Sequence, residues 1–359
     1  MLTWYVADLK TGLFVEELPL KADSLERTIG TKSTCTVNLD VLDPSCPPNW
    51  TNLVDGRRSM IVPVNDDLPL CGYLVTDAVP GSETVPLTLE SIEAVPEYVN
   101  VEDAEFDETV DDEADIMAAL FSQKITAGWG FELAVTKTGR KATQSYSGLE
   151  DRTVASAVSD LASKASGPEW ITRIRWEDGT HRRFIKTIEI GPQVGREIQS
   201  TVIENMHLES RRRPRSWQKK AVRTIATGDG AGESRPMSTP VVDDVAIAAG
   251  VPPWELRVAA TSIETDDDLD RVALQASIQY RYGTQRWELE IAQTEQSAPK
   301  IVRDYDIGDT VRLDLDPTEV DPAEYHGAAR VIGWRATVQG GVLTNATPAF
   351  WAPDEGNVA

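Results

Sequence analysis

The chain has 359 residues, which at roughly 100–200 residues per domain leaves room for two or three domains. A hydrophobic fraction of 41% is enough for real cores, and no run approaches the ~20 apolar residues of a membrane helix, so membrane insertion is not expected. The formal charge of −23, from 35 Lys and Arg against 58 Asp and Glu, argues against general affinity for duplex DNA, which rests on phosphate neutralisation by basic side chains.

The opening Met1-Leu2-Thr3-Trp4 has no basic n-region and no apolar core behind it, so no signal peptide is expected. Leu2 to Asp8, a Lys10-Thr11-Gly12 turn and Leu13 to Leu18 predict a hairpin. Cys35, Val37, Leu39 and Val41 alternate with polar residues, the period of a half-buried strand. Met60 to Val64, Cys71 to Val79 and Thr84 to Ile92 follow, separated by turn residues, and together predict a small barrel or sandwich over 1–100.

An acidic run from Glu102 to Asp115, containing Asp107 and Glu108, then predicts a helix start, with Ile116, Ala119 and Leu120 as the apolar face behind it. A calcium loop is the alternative, but the D-x-D-x-D-G register with its closing Glu is absent. Val154, Ala157, Val158, Leu161 and Ala165 share one face of a helix over 151–166, which Gly167-Pro168 stops. In the hairpin that follows, Trp170, Thr172, Ile174 and Trp176 face one way and Phe184, Lys186, Ile188 and Ile190 return, giving a small α+β unit over 101–192.

From 193 to 351 the chain reads as strands again around one helix. Thr265 is its expected cap, Leu269, Val272, Ala273, Ala276 and Tyr280 its apolar face, and Gly283 its end. Trp287 to Ile291, Val311 to Leu315, Ala329 to Val338 and Val342 to Thr347 are the later strands, and 352–359 reads as a frayed tail. The first and last blocks echo each other. Asp55-Gly56, Gly72-Tyr73-Leu74-Val75, Pro80-Gly81 and Val85 to Thr88 stand in the same order as Gly308-Asp309, Gly333-Trp334-Arg335-Ala336, Gly340-Gly341 and Val342 to Thr344. A glycine before a bulky aromatic in a strand marks a bulge or tight bend.

Little in the chain points to catalysis. Cys35, Cys46 and Cys71 are odd in number and lack CxxC spacing, so they read as reduced thiols. His181, His207 and His326 are far apart and show no metal spacing. Gly228-Asp229-Gly230-Ala231-Gly232 lacks the lysine of a phosphate-binding loop and completes no dinucleotide fingerprint, so no cofactor is expected. With 58 acids, carboxylate pairs arise by chance and do not identify a glycosidase. Trp170, Trp176, Trp287 and Trp334 sit on apolar strand faces, whereas Trp50, Trp217, Trp254 and Trp351 read as loop residues. The one strong basic cluster is Arg211, Arg212, Arg213 and Arg215 with Trp217, Lys219, Lys220 and Arg223. It reads as a solvated edge or as a contact with an acidic protein surface, in preference to DNA.

Trp4-Tyr5-Val6-Ala7-Asp8 with Thr11-Gly12, Leu18-Pro19-Leu20, Gly72-Tyr73-Leu74-Val75 before Leu87 to Ser91, and Tyr305-Asp306-Ile307-Gly308-Asp309 late in the chain carry a likeness to a family. The order resembles the tail hub, or tail-tip minor tail proteins, of siphophages, especially of the actinobacteriophage type. That resemblance implies a mainly β fold in which two tube-like β-barrel domains flank a smaller α+β domain. It also implies a non-enzymatic structural protein of the virion, assembled in the host cytoplasm. The chain would form a homotrimeric ring continuing the tail tube. Its implied partners are the distal tail protein, the tape-measure protein and receptor-binding proteins, with DNA passing transiently during ejection. The alternatives are a tail-associated cell-wall hydrolase, which needs a cleft with perturbed carboxylates, and a carbohydrate-binding receptor protein, which needs surface tryptophans.

Overall fold

The computed structural model describes residues 1–351 apart from 82, 107–110, 164–166, 229–234, 261–265, 281–283, 286 and 320–323. Asp107 and Glu108 of the acidic run, Ala165, Asp229 to Gly232, the helix boundaries Thr265 and Gly283, and the 352–359 tail therefore lie outside the described residues. Strand accounts for 46% of the chain and helix for 20%, as the mainly β reading requires.

β1 (Leu2–Asp8) and β2 (Phe14–Leu18) form the expected hairpin, with Trp4 opposite Leu18. Gly12 makes its turn at φ 73°, and a Cβ there would lie 2.0 Å from the Phe184 carbonyl oxygen, so only glycine fits. Next come β3 (Leu20–Ala22), β4 (Ser24–Thr28), β5 (Thr34–Asp40), the one-turn α1 (Trp50–Leu53), β6 (Ser59–Asn65), β7 (Leu68–Pro69), β8 (Tyr73–Ala78) and β9 (Thr84–Ser91). All these strands except β4 join one sheet in the order β2-β1-β6-β8-β9-β5-β3, with β7 on β6. β5 shows the alternation read from its sequence, with Val37 and Leu39 buried and Thr36 and Asn38 exposed. β6 does not alternate, because both its faces are covered: Ile61 points into one core and Met60, Val62 and Val64 into another.

The middle unit contains β10 (Ala104–Phe106), α2 (Glu113–Trp129), β11 (Phe131–Val135), β12 (Gln144–Tyr146), α3 (Val154–Ser163), β13 (Glu169–Trp176) and β14 (Phe184–Gly191). Asp112 caps α2 by accepting from the Ala114 N–H at 2.9 Å, and Gly130 at φ 69° ends the helix. β13 and β14 are the expected hairpin, and β11 adds in parallel to the other side of β14. Trp170 packs on Phe121 of α2 and Trp176 stacks on Phe184, while Ile171 on the opposite face is buried among residues of both large sheets. The hairpin is therefore covered on both faces, not one.

The remainder contains β15 (Glu197–Glu204), β16 (Leu208–Arg212), β17 (Arg215–Ser216), β18 (Arg223–Thr227), β19 (Val241–Val242), α4 (Asp244–Ala248), β20 (Glu255–Ala259), α5 (Asp266–Tyr280) and β21 (Thr284–Gln285). These are followed by β22 (Glu288–Ala292), β23 (Thr310–Leu315), β24 (Tyr325–Gln339) and β25 (Val342–Trp351). The second large sheet runs β15-β23-β24-β25-β22-β16. Between β16 and β22 the chain leaves it to build a separate module. There β17 pairs β21 as a stem, β18 lies between β19 and β20, and α5 packs on β18 through Ala226, Leu269 and Ala273. Strands of two and five residues carry too little pattern to separate such a module in sequence. Two of the tryptophans read as loop residues are in elements: Trp50 opens α1 and Trp351 closes β25.

The two large sheets are joined by an exchanged strand. Along β24, β23 pairs Tyr325 to Arg330, and β4, from the first thirty residues, pairs Gly333 to Thr337. Gly333 permits this, since a Cβ there would sit 2.8 Å from the Arg27 carbonyl oxygen. The Leu2 N–H also donates to the Gly341 carbonyl at 2.8 Å, at the tip of the β24–β25 hairpin. One hydrophobic core consequently runs from Trp4, Leu39 and Leu87 to Trp287, Leu313 and Trp334. The sequence echo has a counterpart in strand order: β6-β8-β9 and β23-β24-β25 are both antiparallel runs of neighbours. Their outer neighbours differ, because β1 meets β6 antiparallel whereas β15 meets β23 parallel.

Candidate assembly surfaces

Polar clamps join the two sheets and the middle unit. Arg27 leaves β4 and enters the space where both sheets meet the middle unit. It donates to Glu93 Oε1 at 2.7 Å, to the Thr172 carbonyl at 2.8 Å and to the Leu70 carbonyl at 3.2 Å. The Thr172 hydroxyl also donates to Glu93. Burial opposes ionisation of Glu93, but the Arg27 charge and hydrogen bonds from Thr172 and Ser91 outweigh it and hold the carboxyl below its ordinary value. Burial likewise works against the Arg27 charge, and the facing Glu93 more than restores it, raising the guanidinium above its ordinary value.

Two further arginines fasten the middle unit to the second sheet. Arg173 reaches Asp306 Oδ2 at 2.5 Å and the Ile307 carbonyl at 2.6 Å. Arg330 grips both carboxylate oxygens of Glu169, one of them at 2.7 Å, and donates to the carbonyls of Val194 and Gly308. The Asp306–Asp309 stretch, part of the late motif that carries the family likeness, is a tight turn leading into β23. Asp309 accepts from the N–H groups of Arg196 and Asp306, and burial raises its carboxyl above the ordinary value. On the other side Lys186, fully buried on β14, donates to the carbonyls of Leu9 and Trp129, the latter at 2.7 Å. Burial pulls its ammonium down to about 8.

None of these clamp residues was marked for a role by the sequence. Lys186 carried a usable signal, a cation alternating with Phe184, Ile188 and Ile190 on an apolar strand face. Arg27, Arg173 and Arg330 had none, because their partners lie 66, 133 and 161 residues away.

The basic cluster lies where the inserted module leaves the second sheet. The guanidinium groups of Arg211 and Arg213 sit 4.4 and 5.1 Å from the ring centre of the buried Trp287, and Arg211 donates to the Asp316 carbonyl at 2.6 Å. Arg212 is exposed on β16, and the backbone of Arg215 pairs with Gln285 in the stem. Lys219 is exposed with Nζ 5.2 Å from the Tyr280 ring, and Lys220 is half-buried. Arg223 opens β18 in an ion pair with Glu255 at 2.6 Å. The structure thus brings Arg211 and Arg213 together on one ring and spreads Arg212, Arg215, Lys219 and Lys220 along the stem and base of the module.

An open groove of about 680 Å³ borders the β15 edge, where the ladder slips between Ile198 and Val202. Its lining includes Ser200 and Thr201 but no histidine or cysteine that could activate them. Among the described residues no cluster of three His, Cys, Asp or Glu side chains could hold a metal ion.

No protein-family model and no curated protein matches the sequence. Solved structures do match. The chain is similar to the 43 kDa tail protein of prophage MuSo2 from Shewanella oneidensis, with a TM-score of 0.62 at 10% identity over 98% of this chain and 99% of that one. It is also similar to a tail protein from Neisseria meningitidis MC58, with a TM-score of 0.57 at 10% identity over 97% and 96%. The prophage tail protein gp18 from Listeria monocytogenes EGD-e gives a TM-score of 0.52 at 9% identity over 98% and 95%. At these identities the likeness is one of backbone architecture, not of residue roles. The chain has the fold of phage tail proteins along nearly its whole length.

Proposed function

We propose that this chain is a structural, non-enzymatic hub at the tip of a phage tail, of the siphophage type that the sequence resembles. Three copies form a ring, and the two large sheets of each copy act as its two tube-like barrel domains. The ring then presents six related walls to the tail tube and threefold symmetry to the tip. The observation that carries the reading is the fixed joint between two sheets that share a three-strand antiparallel run: an exchanged strand, one shared core and the buried Arg27–Glu93 clamp, with Arg173 and Arg330 fastening the middle unit to the second sheet. A tube wall bearing the passage of DNA and tape-measure protein needs such a joint, because loosely tethered domains would let the ring change shape. The net charge of −23 suits the same role, since a negative lining repels the DNA that slides past it. The distal tail protein, the tape-measure protein and receptor-binding proteins are the expected neighbours.

Native mass spectrometry of the purified full-length chain tests the proposal. A trimer is expected, with a ring of three visible by electron microscopy. A chain that stays monomeric in solution and occupies no ring position on the particle would overturn it.

A further inference from the structure

Among its described residues the inserted module buries mostly small and medium-sized apolar side chains. Its buried cluster is Ala226, Leu269 and Ala273, with Val241, Ala260 and Val272 half-buried around it. It nevertheless leaves large apolar side chains in water. Trp217 and Trp254 are each 62% exposed, Val245 74%, and Leu274 and Ile278 on α5 52% and 69%. Single exposed apolar residues are ordinary, and five of them in one small module leave apolar area free for a contact.

The module also holds its lysine pair, beside the Arg223–Glu255 ion pair, away from the acidic start of α5, where Arg271 pairs with Asp268. β18 and β20 run parallel, and the start of β18 lies against Trp254, whose carbonyl accepts from the N–H groups of Val222 and Arg223. Lys219 at this end touches Tyr280, the last residue of α5. Trp217, Trp254, Lys219 and Lys220 therefore gather at one end. The start of α5, with Asp266, Asp267 and Asp268 in its first turn, lies at the other, about 22 Å away at 1.5 Å per residue.

The sequence around the module sets the same contrast. Residues 209–223 hold seven Lys and Arg against one Glu, a local charge of +6, while the rest of the chain has 28 basic and 57 acidic residues, a net of −29. Copies of so acidic a chain repel each other unless a positive patch meets a negative one.

We propose that the module is a copy-to-copy contact. The basic, tryptophan-bearing end on one copy seats on the acidic α5 start of the next. A contact between two different patches is head-to-tail and closes into a ring when its rotation allows. The assignment rests on the trimeric reading above and names the surface that would hold that trimer together.

The test is sedimentation velocity on the full-length chain, with circular dichroism and thermal melting to verify folding. Lys219→Glu with Lys220→Glu raises the dissociation constant of the trimer by about tenfold or more, and so does Asp266→Lys with Asp267→Lys. Combining all four substitutions restores opposite signs and returns the constant to within about threefold of wild type. Trp254→Ser, which removes an exposed side chain and keeps the backbone bonds, weakens the trimer without lowering the melting temperature of the dissociated monomer. Folded charge-reversal variants that assemble like wild type would overturn the contact and leave the hub reading standing, as would failure of the combined variant to recover. A wild-type chain that never leaves the monomer would overturn both.

Discussion

Arg27→Met is the sharpest probe of the joint between the sheets. Methionine keeps most of the apolar stem but removes the donor to Glu93, Thr172 and Leu70, leaving the Glu93 carboxylate buried with hydroxyl partners. Breaking one side of a buried ion pair costs about 3–5 kcal/mol. A second route bounds the figure. Glu93 can escape by taking up a proton, and at pH 7 this costs about 1.36 kcal/mol for each unit above an ordinary value near 4.3, or about 3.7 kcal/mol. With about 2.1 cal/mol/K of unfolding entropy per residue, a cooperative chain of 359 residues loses about 1.3 °C per kcal/mol, so the melting temperature should fall by about 4–7 °C. The variant also acquires a signature that wild type lacks. Its buried carboxyl binds a proton more tightly folded than unfolded, so its stability rises as pH falls. Relative to wild type, its deficit should shrink by about 1.4 kcal/mol per unit between pH 7 and pH 5. Calorimetric melts of both proteins across that range check this. A shift below about 1 °C, or a deficit that acid does not reduce, would refute the assignment of Arg27 and Glu93 as the joint.

Lys186→Met probes the opposite clamp. The folded-state value of Lys186, about 8, lies below the ordinary value of roughly 10.4, so below pH 8 both states hold the proton and the fold bears the cost of burying a charge. Between about pH 8 and 10.4 that cost is relieved, so wild type should gain up to about 3 kcal/mol on the variant, read as a difference in melting temperature across that window. Gly333→Ala places a Cβ 2.8 Å from the Arg27 carbonyl and should push β4 off β24, lowering stability by about 1–3 kcal/mol in chemical denaturation. Burial pushes the thiols of Cys35 and Cys71 up to about 12, while Cys46 is less deeply buried. A thiol reagent at pH 8 should therefore label Cys46 first, with the other two reacting only on unfolding, as mass spectrometry of labelled peptides would report.

Some of this molecule is written locally and some is not. The β1–β2 hairpin, the β5 alternation, α3, the β13–β14 hairpin and the later strands follow from short-range periodicity and turn residues, because a strand or helix repeats its pattern within a few residues. The echo between the first and last blocks has a counterpart only in strand order, since Gly72 precedes β8 whereas Gly333 lies in the middle of β24. The module at 217–285 was not legible, since its strands are too short to show a period and its helix resembles any other.

The sequence by itself determined a mainly β chain with a helical middle, no metal or nucleophile spacing, and one basic stretch in an acidic background. Only the tertiary structure decided that β4 belongs to the second sheet, that β6 and β13 are covered on both faces, and that Arg27, Arg173, Arg330 and Lys186 are joints. The physical reason is range. A clamp is made by groups that meet from opposite ends of the polypeptide, and neither partner alters the pattern of residues around the other.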